Sequence, residues 1–198
     1  PSPPRGEGRD RVRMGAGRGS MDLVRWVVLL RGVNIGNVRI AMQELAEALT
    51  AHGFAGVRTV LASGNVVLTT DAEDPARIAA DVHRVIRDRF GFDVVVLPVP
   101  VPVVRTAVEE YPFPRAGDRH AYVVFAERTE ALAELLEAAG ALDPAVEQVA
   151  TGEGVLYWDA PKGETLTTAF GRHYGARQRS GAVTTRNLKT LEKILAVA

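Results

Sequence analysis

The chain has 198 residues, 46% of them hydrophobic, and 24 basic side chains balance 24 acidic ones. That composition supports a packed core, excludes a largely disordered chain and argues against a broad nucleic-acid-binding surface. The lack of cysteine excludes disulfides, thiolate nucleophiles and cysteine metal sites, and prolines 98, 100 and 102 break the apolar stretch 94–104 too early for a membrane span.

Residues 1–20 place Arg5, Arg9, Arg11, Arg13 and Arg18 among glycine and proline without periodicity, the pattern of a disordered tail. The apolar run that follows contains Arg25 and has no small-residue cleavage site, so it does not read as a signal peptide, and Met21 reads as an alternative start. With no cysteine either, the expected compartment is the cytoplasm.

Residues 24–30 form a continuous apolar run of strand length, after which Met42, Leu45, Ala46 and Leu49 recur at helical spacing until Gly53. Residues 57–61 and 66–69 are β-rich and separated by "ASGN", predicting a hairpin. The next helix has Asp74 as N-cap and Pro75 in its first turn, carries Ile78, Val82, Val85 and Ile86 on one face, and stops at Gly91. A strand at 93–99 and a short helix from Pro102 to Glu110 follow, and "YPFP" reads as a linker.

The order then repeats without repeating the residues. A strand is predicted at 122–126, then a helix capped by Thr129 that buries Leu132, Leu135, Leu136 and Ala139, then a hairpin turning at 151–154. Thr165 is the expected cap of a helix to Tyr174, followed by a strand at 182–185 and a terminal helix at 188–197. Both halves read βαββαβ plus a helix, so the expected fold is α+β: two tandem ferredoxin-like (alpha-beta plait) units, an internal duplication. The expected division is a tail at 1–20, a first subdomain at 21–114 and a second at 115–198 with the C-terminal helix.

In that topology the strands order 4-1-3-2, so the end of the first strand and the start of the third lie side by side. "RGVNIG" and "ASGN" should therefore meet at one rim. Arg31, Gly32, Asn34, Gly36, Ser63, Gly64 and Asn65 are the candidate ligand-binding residues there, an arginine fork and loop amides suited to a phosphate or carboxylate. Arg186 and Asn187 in "TTRN" join them if the halves pack so that Arg186 faces this rim.

The stretches "LLRGVNIG", "MQELAEALTAHGF", "VRTVLASGNVVL", "RTAVEEYPF" and "TTRNLKTLEKI" resemble, in this order, the bacterial proteins grouped as domain of unknown function 1697. The resemblance runs from Met21 to Ala198 and implies two ferredoxin-like halves and no assigned activity. It also implies departures in this chain. Asn37, Val38 and Arg39 stand where the family usually has a second glycine and a lysine, and Leu61 and Ala62 where an aromatic and a glutamine are common. The segment before Tyr174 lacks the family's frequent serine and lysine.

Each candidate has a plainer reading. The loop spacing matches neither G-x-G-x-x-G nor the P-loop, so its glycines serve equally as turn residues and Arg31 as a donor to a nearby carbonyl or carboxylate. "SGN" reads most simply as a tight turn, and Asn187 as the cap of the last helix. Ser63 lacks a nucleophile elbow, so no catalytic residue is assigned. His52, His83, His120 and His173 show no metal-ligand spacing, and no metal or cofactor is assigned. The leading expectation is a small anionic ligand, a nucleotide or phosphorylated metabolite. The alternatives are an RNA-binding module using Tyr122, Phe125, Tyr157 and Trp158 with the arginines at 172, 177 and 179, or a non-catalytic protein-interaction scaffold.

Overall fold

A computed structural model describes residues 23–33, 39–181 and 183–198. The expected tail at 1–20 lies outside the described residues, as do Asn34 and Gly36. The first half runs β1 (Val24–Arg31), α1 (Met42–His52), β2 (Ala55–Thr59), β3 (Asn65–Thr70), α2 (Pro75–Phe90), β4 (Val95–Pro100) and α3 (Val101–Glu109). The second runs β5 (Arg119–Ala126), α4 (Thr129–Ala139), β6 (Gln148–Gly152), β7 (Val155–Pro161), α5 (Ala169–Arg179), β8 (Val183–Asn187) and α6 (Leu188–Leu195). Each half builds a four-stranded antiparallel sheet, ordered β2-β3-β1-β4 and β6-β7-β5-β8, which is the ferredoxin-like plait twice.

Why β1 is a continuous apolar run becomes clear from its two faces. Trp26, Val28 and Leu30 pack against α1 and α2 through Leu45, Leu49, Ile78, Val82 and Ile86. The alternate residues Val27 and Leu29 join Val67, Leu97 and Val99 on the opposite face, where they meet Val123, Phe125, Val155 and Tyr157 of the second sheet. A central strand covered on both sides has no polar face to show. Leu188, Leu191 and Ile194 of α6 and Val104 of α3 complete this central core. The second sheet's other face packs Val124, Leu156 and Trp158 against Leu132 and Leu135 of α4 and Phe170 and Tyr174 of α5. No helix among the described residues is long and apolar enough to cross a membrane.

Several local expectations change. β2 starts and ends two residues earlier than the apolar run suggested, because the strand bulges near Gly56 (φ +57°) and Leu61 turns into the left-handed region at φ +59°. β4 keeps Pro98 and Pro100 because it is an edge strand, where a missing amide costs no ladder bond. Thr129 does not cap α4: Arg128 occupies the cap position and makes no side-chain capping bond. Thr165 does not cap α5 either. Thr168 does, its hydroxyl accepting from the Gly171 amide at 3.1 Å, and the helix runs on to Arg179 rather than stopping at Tyr174. Thus Arg172, Arg177 and Arg179 sit on a helix, with Arg177 paired to Glu134 at 3.0 Å, and not on a loop.

Candidate functional site at the junction of the two halves

The hairpin between β2 and β3 is closed by one side chain. Asn65 is fully buried; its Nδ2 donates to the Val60 carbonyl at 2.8 Å and to Ser63 Oγ at 3.1 Å, while the Val60 amide donates to the Asn65 carbonyl at 2.8 Å. The Gly64 carbonyl accepts from the Leu30 amide at 2.8 Å, bringing the end of β1 and the start of β3 together as the strand order requires. Gly64 has φ +81°, and a Cβ there would stand 2.5 Å from Val33 Cγ2 and 2.9 Å from Leu30 Cβ. Glycine is demanded by a close approach between the two loops. Gly32 differs: a Cβ there would meet no described residue within 4 Å, and it is the φ of +89° that calls for glycine.

Two arginines cross the junction in opposite directions. Arg31, at the end of β1, donates through Nη1 to the carbonyls of Gln178 and Val183, the latter at 3.1 Å. Arg186, on β8, reaches back and donates through Nε to Asn65 Oδ1, and through Nη2 to the carbonyls of Leu30 at 2.7 Å and Gly64 at 3.2 Å. Its Nη1 donates to Thr184 Oγ1 at 3.0 Å and to the Thr185 carbonyl at 2.9 Å. Five acceptors therefore meet the five N–H groups of a guanidinium.

Arg186 is 8% exposed and, like Arg31, has no carboxylate within salt-bridge distance among the described residues. Burial pushes its pKa down to about 10, with Tyr174 acting in the opposite sense, so the group stays charged at neutral pH. The Tyr174 hydroxyl is buried and completes no hydrogen bond among the described residues, although Arg186, Arg31 and the Thr185 backbone are near enough to favour its ionised form. Burial outweighs them and holds the phenol well above its ordinary range.

A cleft of about 430 Å³ opens beside these groups, lined by Arg31, Gly32, Ser63, Gln178, Thr184 and Arg186 among others. Of the residues singled out in the sequence, Arg31, Gly32, Ser63 and Arg186 are brought to one cleft. Gly64 and Asn65 lie behind its wall, with both functional groups of the Asn65 side chain engaged within the protein. Asn187 stands apart from these residues. It caps α6 through a bond from the Lys189 amide at 3.0 Å and lines a different cleft, because neighbouring residues on a strand point opposite ways. The sequence reading missed Gln178 and Thr184 in this role, and missed Tyr174 as the buried phenol within reach of both arginines. Gln178 acts through its backbone carbonyl, and Tyr174 and Thr184 through their buried positions, which no motif encodes.

The aromatic residues considered for stacking are mostly interior. Phe125, Tyr157 and Trp158 are at most 3% exposed, and half-buried Tyr122 packs on Trp158 with ring centres 5.4 Å apart.

Residues 23–157 match the model of a family described as a protein of unknown function, DUF1697. The matched region contains the RGV and SGN segments and ends before β8. No curated protein sequence matches the chain. Among solved structures, the conserved bacterial protein SP0830 from Streptococcus pneumoniae is similar, with a TM-score of 0.72 and 22% identity over 88% of this chain and 97% of that one. That likeness shows the fold. An unknown protein from Galdieria sulphuraria aligns at 13% identity and a TM-score of 0.24, over 84% of this chain and 98% of that one.

Proposed function

The chain belongs to the DUF1697 family of proteins of unknown function, and from that premise, which assigns no chemistry, we propose that the junction cleft binds a small anionic ligand, a nucleotide or another phosphorylated metabolite. One observation carries the reading: Arg31 and Arg186 both border the cleft, and neither charge is balanced by a carboxylate among the described residues. Their roles differ. Arg186 has its N–H groups committed to protein acceptors and contributes field rather than contact. Arg31 is half-buried, and its Nε and Nη2 take no hydrogen bond to a described residue, which leaves an edge for a charge-assisted fork onto an oxyanion. The Ser63 hydroxyl adds a neutral donor.

A thermal-shift series with inorganic phosphate, pyrophosphate, sugar phosphates and nucleotides tests this. A ligand present at a hundred times its dissociation constant should add about 2.7 kcal/mol of stability. Arg31→Ala should abolish that gain while costing the ligand-free protein about 1 to 3 kcal/mol, because the Gln178 and Val183 carbonyls lose a donor. Ser63→Ala, which leaves Asn65 its bond to Val60, should keep the apo stability and weaken the ligand several-fold. A ligand whose shift is the same in all three proteins does not bind here.

A further inference from the structure

A second cleft, of about 350 Å³, opens where β5 begins, β7 and β8 end and α6 starts. Its wall carries Arg115, Arg119, His120, Lys162 and Lys189 against, among the described residues, the single carboxylate of Asp159. Arg119 is bound to Asp159 through Nε and to the Val146 carbonyl at 3.0 Å, and Arg115 pairs with Glu192 at 2.5 Å, so both guanidiniums have counter-charges. The lysines do not. Lys162 Nζ donates to the Gly117 carbonyl, and neither Lys162 nor Lys189 has a carboxylate within salt-bridge distance among the described residues.

This placement departs from the chain's habit. Only three of its 24 basic residues are lysines, and two of those three line this cleft. Apart from Lys193 on α6, its solvated faces elsewhere use arginine, as in the pairs made by Arg84 and Arg89. The first turn of α6 also borders the cleft, adding the partial positive charge of a helix start to two compact ammonium groups. Beside them stands His120, its ring 5.1 Å from that of Tyr122 at a 33° tilt, which fixes a flat surface in the wall. Burial and the Lys162 charge hold its imidazole below the ordinary range, so the ring is neutral at pH 7 and able to stack or share hydrogen bonds.

We propose that this cleft binds a mononucleotide, with Lys162 and Lys189 holding its phosphate monoester and the His120 ring facing its base. A phosphate monoester supplies the doubly charged group that two unpaired ammonium groups and a helix start complement. The cleft is separate from the junction cleft, and the two readings stand or fall independently.

Isothermal titration with adenosine 5′-monophosphate and with inorganic phosphate tests the assignment. Lys189→Glu should weaken the nucleotide by about tenfold or more, and Lys162→Gln, which keeps a donor for the Gly117 carbonyl, by a smaller factor. His120→Ala should weaken the nucleotide and leave inorganic phosphate unchanged. Arg31→Ala, which lies in the other cleft, should leave unchanged the nucleotide uptake that Lys189→Glu weakens. The proposal is overturned if the unaltered protein takes up no nucleotide at millimolar concentration, if Lys189→Glu binds as well as the original, or if inorganic phosphate binds as tightly as the nucleotide. Loss on Arg31→Ala with none on Lys189→Glu also overturns it and moves the ligand to the junction cleft.

Discussion

Arg186 shows how much one side chain can hold. Its replacement by alanine would strand Asn65 Oδ1 and the Leu30 carbonyl, both buried, and open a void between the sheets. Buried acceptors without donors cost about 1 to 3 kcal/mol each, so Arg186→Ala should lower unfolding free energy by about 3 kcal/mol or more in denaturant titration. Arg186→Lys should recover only part, since one ammonium cannot serve acceptors spread around a planar fork. Tyr174 makes the opposite case. Its hydroxyl is buried without completing a bond among the described residues, so Tyr174→Phe should leave stability at neutral pH unchanged or raised. Because folding raises the phenol's pKa, its contribution is complete below the unfolded value near 10 and is lost as pH climbs toward the folded one. Melting curves taken on either side of pH 10 should show a shallower alkaline fall in Tyr174→Phe than in the original protein.

Helix α5 illustrates what an element needs beyond periodicity. Its start is set by Thr168, and its two internal glycines have unlike reasons. A Cβ on Gly171 would lie 1.8 Å from the Thr165 carbonyl oxygen and 2.7 Å from Thr168 Oγ1, whereas on Gly175 the nearest atoms are 3.8 Å away. Gly171→Ala should therefore destabilise by about 3 kcal/mol or more through overpacking against backbone, while Gly175→Ala should be neutral or stabilise by up to about 1 kcal/mol through helix propensity. Comparing the two midpoints of thermal unfolding checks both. The tight turn after β7 that makes Gly171 necessary also explains why Thr165 looked like the cap. Threonines at 165, 167 and 168 are equivalent to a pattern reader, and only the hydrogen bond to the Gly171 amide selects Thr168.

At the scale of the whole molecule, the two sheets share a core, and without the second half the face bearing Val27, Leu29, Val67, Leu97 and Val99 would keep only the cover of α3 from its own half. Segments 21–114 and 115–198 made separately should accordingly show no cooperative melt by circular dichroism, whereas the full chain should unfold in one transition. Two independent sigmoidal melts would instead establish the halves as autonomous domains. The sequence by itself determined the plait twice over, because hydrophobic period, glycine stops and the Asp74 cap are local signals that read the same in any context. It also determined that RGV and SGN are neighbours, since strand order follows from the βαββαβ sequence of elements. Only the tertiary structure decided that Arg186 plugs into Asn65 across 121 residues, that Arg31 crosses in the other direction, and that Asn187 faces another cleft. Those facts depend on how one sheet's inner face docks on the other. Docking is fixed by the summed packing of many apolar side chains and by backbone acceptors that no residue name announces, so it has no local signature to read.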